Sequence, residues 1–351
     1  MQYNSSPRRL RKTSHLISVY GVQNVWRRYR YRVLWAGGLA LAFVSLGGFL
    51  GLYQYRLEIL SHFRLQYVAC ALIGLVIAWL NQARAVAALA GACLLINLWF
   101  VAPGLVRSTP LLARNQAVST EASGRLRLLH ANILMSNREY QRFARLVREA
   151  RPDVWFVQEV DQKWLDYLRR EFAQDYPHTI GEASDGRFGI AAFSSRPFDA
   201  ARVLRTGPKS DRRGPSLEIS LRVNDRAVRL YSSHPPPPLD AAKARTRNLQ
   251  ILELLVIADR DPSPYVLIGD LNNTKYSPWF TKWLRASRLS PPQDGGLHFT
   301  WPVRLPAMGI EIDHCLVTGG LNLVARVRGP DVGSDHFPVI CDIIVEDLAM
   351  K

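Results

Sequence analysis

The sequence predicts an α+β protein in which a two-sheet β-sandwich flanked by helices follows three transmembrane helices. Three observations point to this class: long apolar segments in the first third, many short strands with few helices in the remainder, and basic charge concentrated at the N-terminus. With 351 residues, 48% hydrophobic and 21% charged, the chain is neither disordered nor a disulfide framework, and it is long enough for about two domains.

The positive charge is unevenly distributed along the chain. Of the formal net charge of +16, residues 1–32 carry +8, residues 33–116 carry +4 and residues 117–351 carry +4. A basic tail without acidic residues indicates membrane orientation better than a nucleic-acid footprint. The positive-inside rule then places residues 1–32 in the cytoplasm.

Three apolar segments predict a membrane anchor over residues 33–105. The segments are 33–53, 65–80 and 85–105, and the first contains no charge over 21 positions. About 20 apolar residues are needed to cross a bilayer. Three crossings of the inner (plasma) membrane leave the remainder of the chain periplasmic or extracellular. If the second segment only lies at the interface or re-enters, two crossings return it to the cytoplasm.

Two other interpretations of these apolar segments fit less well. Core helices of a soluble protein seldom run this long without a charged face. A cleaved signal peptide requires a small-residue cleavage site, which the chain lacks after the first segment. Residues 106–124 are small and polar without periodicity, and they predict a linker.

Residues 125–351 predict a soluble domain in which strands alternate with a few helices. Helices are expected at 138–150 and 241–260. Because each sheet must bury one face, this many strands favour two packed sheets. The expected strands cover 125–134, 154–160, 188–194, 217–223, 227–233, 265–269, 311–318, 322–328 and 337–345.

Polar side chains stand at the ends of these strands. Singly, a terminal Asp or Asn is more often a turn or cap residue, but so many metal-compatible and acid/base groups together favour a site. The residues are Asn132, Glu159, His234, Asp270, Asn272, Asp313, Asp335 and His336.

The four cysteines do not predict a metal site. They form no CxxC or Cys/His pattern, so zinc is not expected. Cys315 and Cys341 fall in two predicted strands and could be neighbours. They are interpreted as buried thiols, with a disulfide as the alternative.

Seven segments in order resemble the endonuclease/exonuclease/phosphatase superfamily, whose fold is that of deoxyribonuclease I. The resemblance covers residues 125–345, and HPPPP with TWP (300–302) is most similar to bacterial membrane-anchored members. The segments are HAN (130–132), PDVWFVQEV (152–160), RFGIAAFSSRPF (187–198), SSHPPPP (232–238), IGDLNNTKYSPWF (268–280), IEIDHCLV (310–317) and GSDHFPVI (333–340).

The resemblance implies a magnesium site, with Mn²⁺ as a substitute ion. Glu159 is the principal metal ligand that it implies, and Asn132 and Asp335 complete or support the site. Mg²⁺ prefers a few oxygen ligands with water retained, which agrees with this donor set.

The same resemblance implies catalytic roles for five residues. Asp270 positions or deprotonates the attacking water, and Asn272 donates its amide to the phosphate. His336 stabilises the pentavalent phosphoryl group or protonates the leaving group, while Asp313 fixes its tautomer. His234 occupies the position of a second catalytic histidine in deoxyribonuclease-like members and of a tyrosine in apurinic endonucleases.

The expected function is therefore metal-assisted hydrolysis of a phosphate ester at a membrane. A phosphodiester in nucleic acid or in a lipid headgroup is favoured, and the near-balanced charge of residues 117–351 weakens the nucleic-acid alternative. A phosphomonoesterase of the same fold and a non-catalytic, membrane-tethered interaction module are the competing hypotheses. The lipid bilayer and the phosphate ester are the expected partners, and no specific protein partner is predicted.

Overall fold

The structure is a computed structural model that describes residues 11–106, 124–209, 211, 214–292 and 296–346, with side chains from residue 25 onward. The first ten residues of the basic tail and most of the expected linker lie outside the described residues. The chain divides into two compact units: Met1–Leu46 with Leu65–Trp99, and Gly47–Arg64 with Phe100–Lys351.

The apolar third folds into helices long enough to cross a membrane. By length and composition the candidate spans are Val25–Leu50, Tyr55–Leu80 and Arg84–Leu105, and only 22%, 22% and 28% of their apolar windows are buried. Exposed side chains such as Leu95 and Trp99 would be costly in water and are suited to lipid. The helices are α1 (Arg11–Gly47), α2 (Tyr55–Leu60), α3 (Arg64–Leu80) and α4 (Arg84–Val106).

The second unit contains two β-sheets. The six-stranded sheet has the order β10-β11-β1-β2-β4-β3, and the five-stranded sheet has the order β5-β6-β7-β8-β9. The strands are β1 (Arg125–Asn132), β2 (Val154–Gln158), β3 (His178–Glu182), β4 (Ile190–Ser194), β5 (Ala200–Leu204), β6 (Ser216–Val223), β7 (Arg226–Ser233), β8 (Tyr265–Asp270), β9 (Asp313–Val317), β10 (Leu321–Arg328) and β11 (Val339–Val345).

The sheets pack face to face, and helices cover their outer faces. Alternation along each strand sends one set of apolar side chains, including Phe156 and Ile268, into the core between the sheets. The opposite set packs under the helices, with Trp155 under α5 and α6 and Leu267 under α7 and α8. These helices are α5 (Tyr140–Ala150), α6 (Gln162–Glu171), α7 (Ala241–Ala258) and α8 (Pro278–Arg285).

One parallel strand pair in each sheet brings the polar strand ends together. β1 runs parallel to β2, and β7 runs parallel to β8, whereas the other paired strands are antiparallel. Carboxyl ends of parallel neighbours lie at the same edge of a sheet. Asn132 and Glu159 therefore lie together at the edge of one sheet, and His234 and Asp270 at the edge of the other.

The fold class expected from the sequence is confirmed, with two strands added. The added strands are β3 and β5, and each lies at the edge of its sheet. Their side chains are mostly half-buried or exposed, so they lack the apolar alternation that predicts inner strands. Cys315 and Cys341 are both buried and lie in different sheets, and no disulfide joins them.

Candidate active site

A pocket of about 1140 Å³ in the second unit contains most of the residues singled out from the sequence. Asn132 and Asp313 do not line the pocket, but both contact residues that do. The structure thus brings all eight residues together. Those lining the pocket are Glu159, His234, Asp270, Asn272, Asp335 and His336.

Asp270, at the end of β8, is the centre of this group. Its Oδ1 accepts a hydrogen bond from the backbone amide of Asn272 at 2.9 Å, and its Oδ2 accepts one from Asn132 Nδ2 at 3.3 Å. The same Oδ2 lies 3.5 Å from His234 Nδ1 and 3.6 Å from His336 Nε2. The buried carboxylate of Asp270 therefore accepts hydrogen bonds from two amide groups and lies beside two imidazole rings.

Glu159 lines the pocket, and its backbone has the left-handed conformation. Its φ is 60°, a region that residues other than Gly seldom adopt, and Asn272 on the opposite sheet has a φ of 49°. Such backbone strain persists only where the surroundings impose it, and it is concentrated at functional sites. Asn132 Nδ2 donates to Glu159 Oε1 at 3.2 Å, and His234 Nε2 lies 3.7 Å from the same oxygen.

His336 is held by a buried carboxylate, as the hypothesis drawn from the sequence requires. Its Nδ1 lies 2.9 Å from Asp313 Oδ2, which leaves Nε2 directed toward Asp270. The other oxygen of Asp313 accepts a hydrogen bond from His130 Nε2 at 2.8 Å. Sequence reasoning missed His130, although it lies two residues before Asn132 on β1, and strand alternation therefore places it on the same face.

Asp270, Asp313 and His336 shift one another's pKa values, and burial shifts them as well. Burial raises the pKa of Asp270 above its usual range. Burial would also raise the pKa of Asp313, but the adjacent His336 and the hydrogen bonds from His130 and His336 lower it below its usual range. Although burial opposes the charged ring, Asp313 and Asp270 raise the pKa of His336 to about 10. The carboxylate of Asp270 and the imidazole of His336 thus lie 3.6 Å apart in the wall of the pocket.

Gln158 joins the two sheets behind the site. Its Nε2 donates to the carbonyl of Ser233 at 3.0 Å, and its Oε1 accepts from the backbone amide of Asp270 at 3.1 Å. The backbone at position 269 lies so close to Gln158 and Ser233 that only glycine fits there. An added Cβ would lie 2.7 Å from Gln158 Nε2 and 2.3 Å from the carbonyl oxygen of Ser233. The bridge sets the position of Asp270 relative to β2.

The loop before β11 brings Asp335 to the pocket. Ser334 Oγ donates to the carbonyl of Asn132 at 2.7 Å, which ties this loop to β1. Trp301 Nε1 donates to Asp335 Oδ2 at 3.1 Å. Asp335, which directly precedes His336 in sequence, therefore lines the pocket from the loop before β11.

The donor set fits a hard divalent cation. Glu159, Asp270 and Asp335 line one pocket, and among the described residues none of them forms an ion pair with Lys or Arg. Glu159 and Asp270 are buried and Asp335 is half-buried, and carboxylate oxygens are the ligands that Mg²⁺ prefers. Asp270, Asp313 and His336 also have ligand atoms within 4.8 Å of one another, but both oxygens of Asp313 already accept hydrogen bonds from histidines.

Comparison with known proteins agrees with this geometry. The model of the Endonuclease/Exonuclease/phosphatase family matches residues 129–336, which span the site from β1 to His336. The chain belongs to this family. It is accordingly an enzyme that hydrolyses phosphoric esters with the help of a metal ion. No curated protein matches the chain.

Solved structures of this endonuclease/exonuclease/phosphatase fold are similar to about two thirds of the chain. An endonuclease/exonuclease/phosphatase from Beutenbergia cavernae has a TM-score of 0.53 and 20% identity, over 65% of this chain and 73% of that one. The human Nocturnin catalytic domain has a TM-score of 0.52 and 17% identity, over 66% and 98%. Humanized D. rerio TDP2 has a TM-score of 0.53 and 18% identity, over 63% and 99%. At these identities the likeness shows the fold.

Proposed function

We propose that the protein is a membrane-anchored, Mg²⁺-dependent phosphodiesterase, in which water attacks the phosphorus of the substrate without a covalent enzyme intermediate. The observation that carries this proposal is the row Asp313–His336–Asp270 in the wall of a pocket that Glu159 also lines. It places a proton donor, His336 Nε2, and a proton acceptor, Asp270 Oδ2, 3.6 Å apart in the wall of one pocket, where both can reach a phosphate that occupies it.

In this proposal each side chain has one task. Asp270 takes a proton from the attacking water, and Asn272 donates its amide to a phosphoryl oxygen. His336 gives a proton from Nε2 to the leaving oxygen, because Asp313 holds Nδ1. His234, between the carboxylates of Glu159 and Asp270, restrains both.

Glu159, Asn132 and Asp335 would hold the metal ion. When bound there, Mg²⁺ polarises a phosphoryl oxygen and neutralises charge that develops on it. Asn132 Nδ2 donates to both Glu159 and Asp270, so its Oδ1, which accepts from the backbone amide of Leu134, is the atom that would reach the ion.

The apolar lining of the pocket favours a lipid phosphodiester over a nucleic acid. Ile59, Phe63 and Phe188 line the pocket together with Pro236–Pro238 and Leu239. Phosphate-backbone binding usually needs a clustered basic face, whereas residues 117–351 carry 32 basic against 28 acidic residues.

A substrate panel on the full chain in detergent micelles tests the proposal. The panel contains single- and double-stranded DNA, RNA, phospholipid, sphingomyelin and inositol phosphates, each with Mg²⁺ and with EDTA. We expect a phosphodiester to be hydrolysed with Mg²⁺ and left intact with EDTA. Release of phosphate from monoesters alone would favour the phosphomonoesterase, and failure to hydrolyse any member would favour the non-catalytic module.

We also propose that the catalytic domain lies outside the cytoplasm. The eight basic residues before residue 33 hold the N-terminus inside, and three crossings carry the domain out. A reporter that is active only outside the cytoplasm should be active when fused after Lys351. The same reporter fused after Gln82, between the second and third spans, should be inactive. Activity of a cytoplasm-only reporter after Lys351 would contradict three crossings and point to the second span.

A further inference from the structure

The segment Gly47–Arg64 lies between the first two apolar runs in sequence, yet it is part of the compact unit that contains the site. It comprises a turn of 3₁₀-helix (Gly48–Leu50), α2 and a second 3₁₀ turn (Ser61–Phe63). Its polar residues precede Leu65–Leu80, which is the part of the second candidate span without charge. The residues that connect α1 and α3 thus fold with the compact unit that contains the candidate active site.

Glu58 attaches this segment to α7 and to the residues that follow β8. Its side chain is fully buried, its Oε2 lies 2.6 Å from Arg247 Nη2, and its Oε1 accepts a hydrogen bond from Ser277 Oγ at 2.7 Å. A second contact joins His62 Nδ1 and Thr274 Oγ1 at 2.9 Å. A buried charge pair is tolerated only when its remaining hydrogen-bonding groups are also satisfied, and here they are.

Arg247 carries this attachment to the site itself. The guanidinium, fully buried on α7, donates through Nη1 to the backbone carbonyl of Asn272 at 2.9 Å. It also donates to Asn248 Oδ1 through Nε at 2.9 Å and Nη2 at 2.8 Å. Every nitrogen of Arg247 therefore has an acceptor, and the Asn272 carbonyl is one of them.

Asn272 needs this support because its conformation is unusual. Its φ of 49° is left-handed, and its Nδ2 donates to the carbonyl of Pro235 at 3.0 Å. Without Glu58, the buried guanidinium would lack its carboxylate and would have to reorient or bind water. Reorientation of the guanidinium removes the Nη1 donor that holds the Asn272 peptide.

We infer that Glu58 is a positioning residue for hydrolysis, which acts through Arg247 to fix Asn272. Three residues of the segment Gly47–Arg64, namely Ile59, His62 and Phe63, form one wall of the pocket. The inference rests on the proposed function, in which Asn272 contacts the phosphate.

The test uses the full chain in detergent micelles with bis(p-nitrophenyl) phosphate and Mg²⁺. Glu58→Gln removes the charge but keeps the size of the side chain. Because displacement of a phosphate contact by about 1 Å can cost about 100-fold, we expect kcat to fall about 10- to 100-fold with little change in KM. In the Asn272→Ala background the same substitution should change kcat less than about twofold, since the two residues act as one unit.

Two controls separate positioning from stability. Arg56→Gln changes an exposed residue of the same helix and should leave kcat unchanged. Asp342→Asn breaks an ion pair with Arg125 and Arg127 at the far end of β1, so it should lower the melting temperature without lowering kcat. A double variant, Glu58→Leu with Arg247→Met, removes both buried charges and should keep the fold, yet its kcat should remain low.

Equal losses of kcat from Glu58→Gln in the parent and in the Asn272→Ala background would overturn the inference. A lowered melting temperature with unchanged kcat would do the same. If the parent protein does not hydrolyse the probe, the proposed function fails for this substrate, and binding of inorganic phosphate then provides the test. In that case Glu58→Gln should weaken phosphate binding in the parent but not in Asn272→Ala, and equal weakening would refute the positioning role.

Discussion

Replacing either member of the Asp313–His336 pair should remove most of the activity. We expect His336→Ala and Asp313→Asn each to lower the single-turnover rate about 100- to 10,000-fold, the range for loss of a general acid. The reason is geometric: the 2.9 Å contact with Asp313 holds Nδ1 of His336 so that Nε2 can deliver the proton. The double variant should lose little more than either single variant, because residues that serve one step are non-additive.

The measurement is the single-turnover rate of the parent, the two single variants and the double variant on the substrate that the panel identifies. His178→Ala provides a matched control, since this histidine starts the edge strand β3 and lies outside the pocket. Losses that multiply in the double variant would show that Asp313 and His336 act separately. Asp313 would then be interpreted as a stabilising residue at the start of β9.

Glu159→Gln should have a comparable effect on turnover through the metal ion. The substitution keeps the shape of the side chain and removes one charge from the oxygen donor set. Because a bound metal ion supplies several kcal/mol of transition-state stabilisation, we expect a loss of roughly 1000-fold in kcat. The Mg²⁺ concentration needed for half-maximal activity should rise, while the melting temperature without Mg²⁺ should change little.

Mg²⁺ titration by calorimetry, together with kcat at saturating Mg²⁺, checks this expectation. Glu182→Gln is the control, since Glu182 also lines the pocket but forms an ion pair with Arg205 at the end of β3. If the Glu159 variant binds Mg²⁺ and turns over substrate like the parent, the metal must be held elsewhere. Asp270, Asp313 and His336 would be the next candidates.

The inner strands and most of the site could be predicted from the sequence for one reason. Strands such as β2 and β8 are buried on both faces, so they read as continuous apolar runs. A polar residue at the end of such a run stands out, as Glu159 and Asp270 do. The two parallel strand pairs bring together the ends of β1, β2, β7 and β8, and the antiparallel neighbours β9 and β11 begin beside the ends of β8 and β1, which adds Asp313, Asp335 and His336.

Partners that depend on packing between distant segments could not be predicted in this way. His130 lies inside a buried strand of one sheet, and its contact with Asp313 on the other sheet depends on how the two sheets pack. The edge strands β3 and β5 bury too little apolar surface to show a period of two.

The sequence predicts the apolar helices, the strand runs and the polar groups at their ends, because these depend on local composition and periodicity. That Glu58 belongs to the compact unit with the candidate active site depends on tertiary packing. An isolated acid before an apolar run indicates only a helix flank, whereas its pairing with Arg247, 189 residues away, depends on how the segments pack. Burying the two charges together satisfies both, and that requirement appears only when the chain is folded.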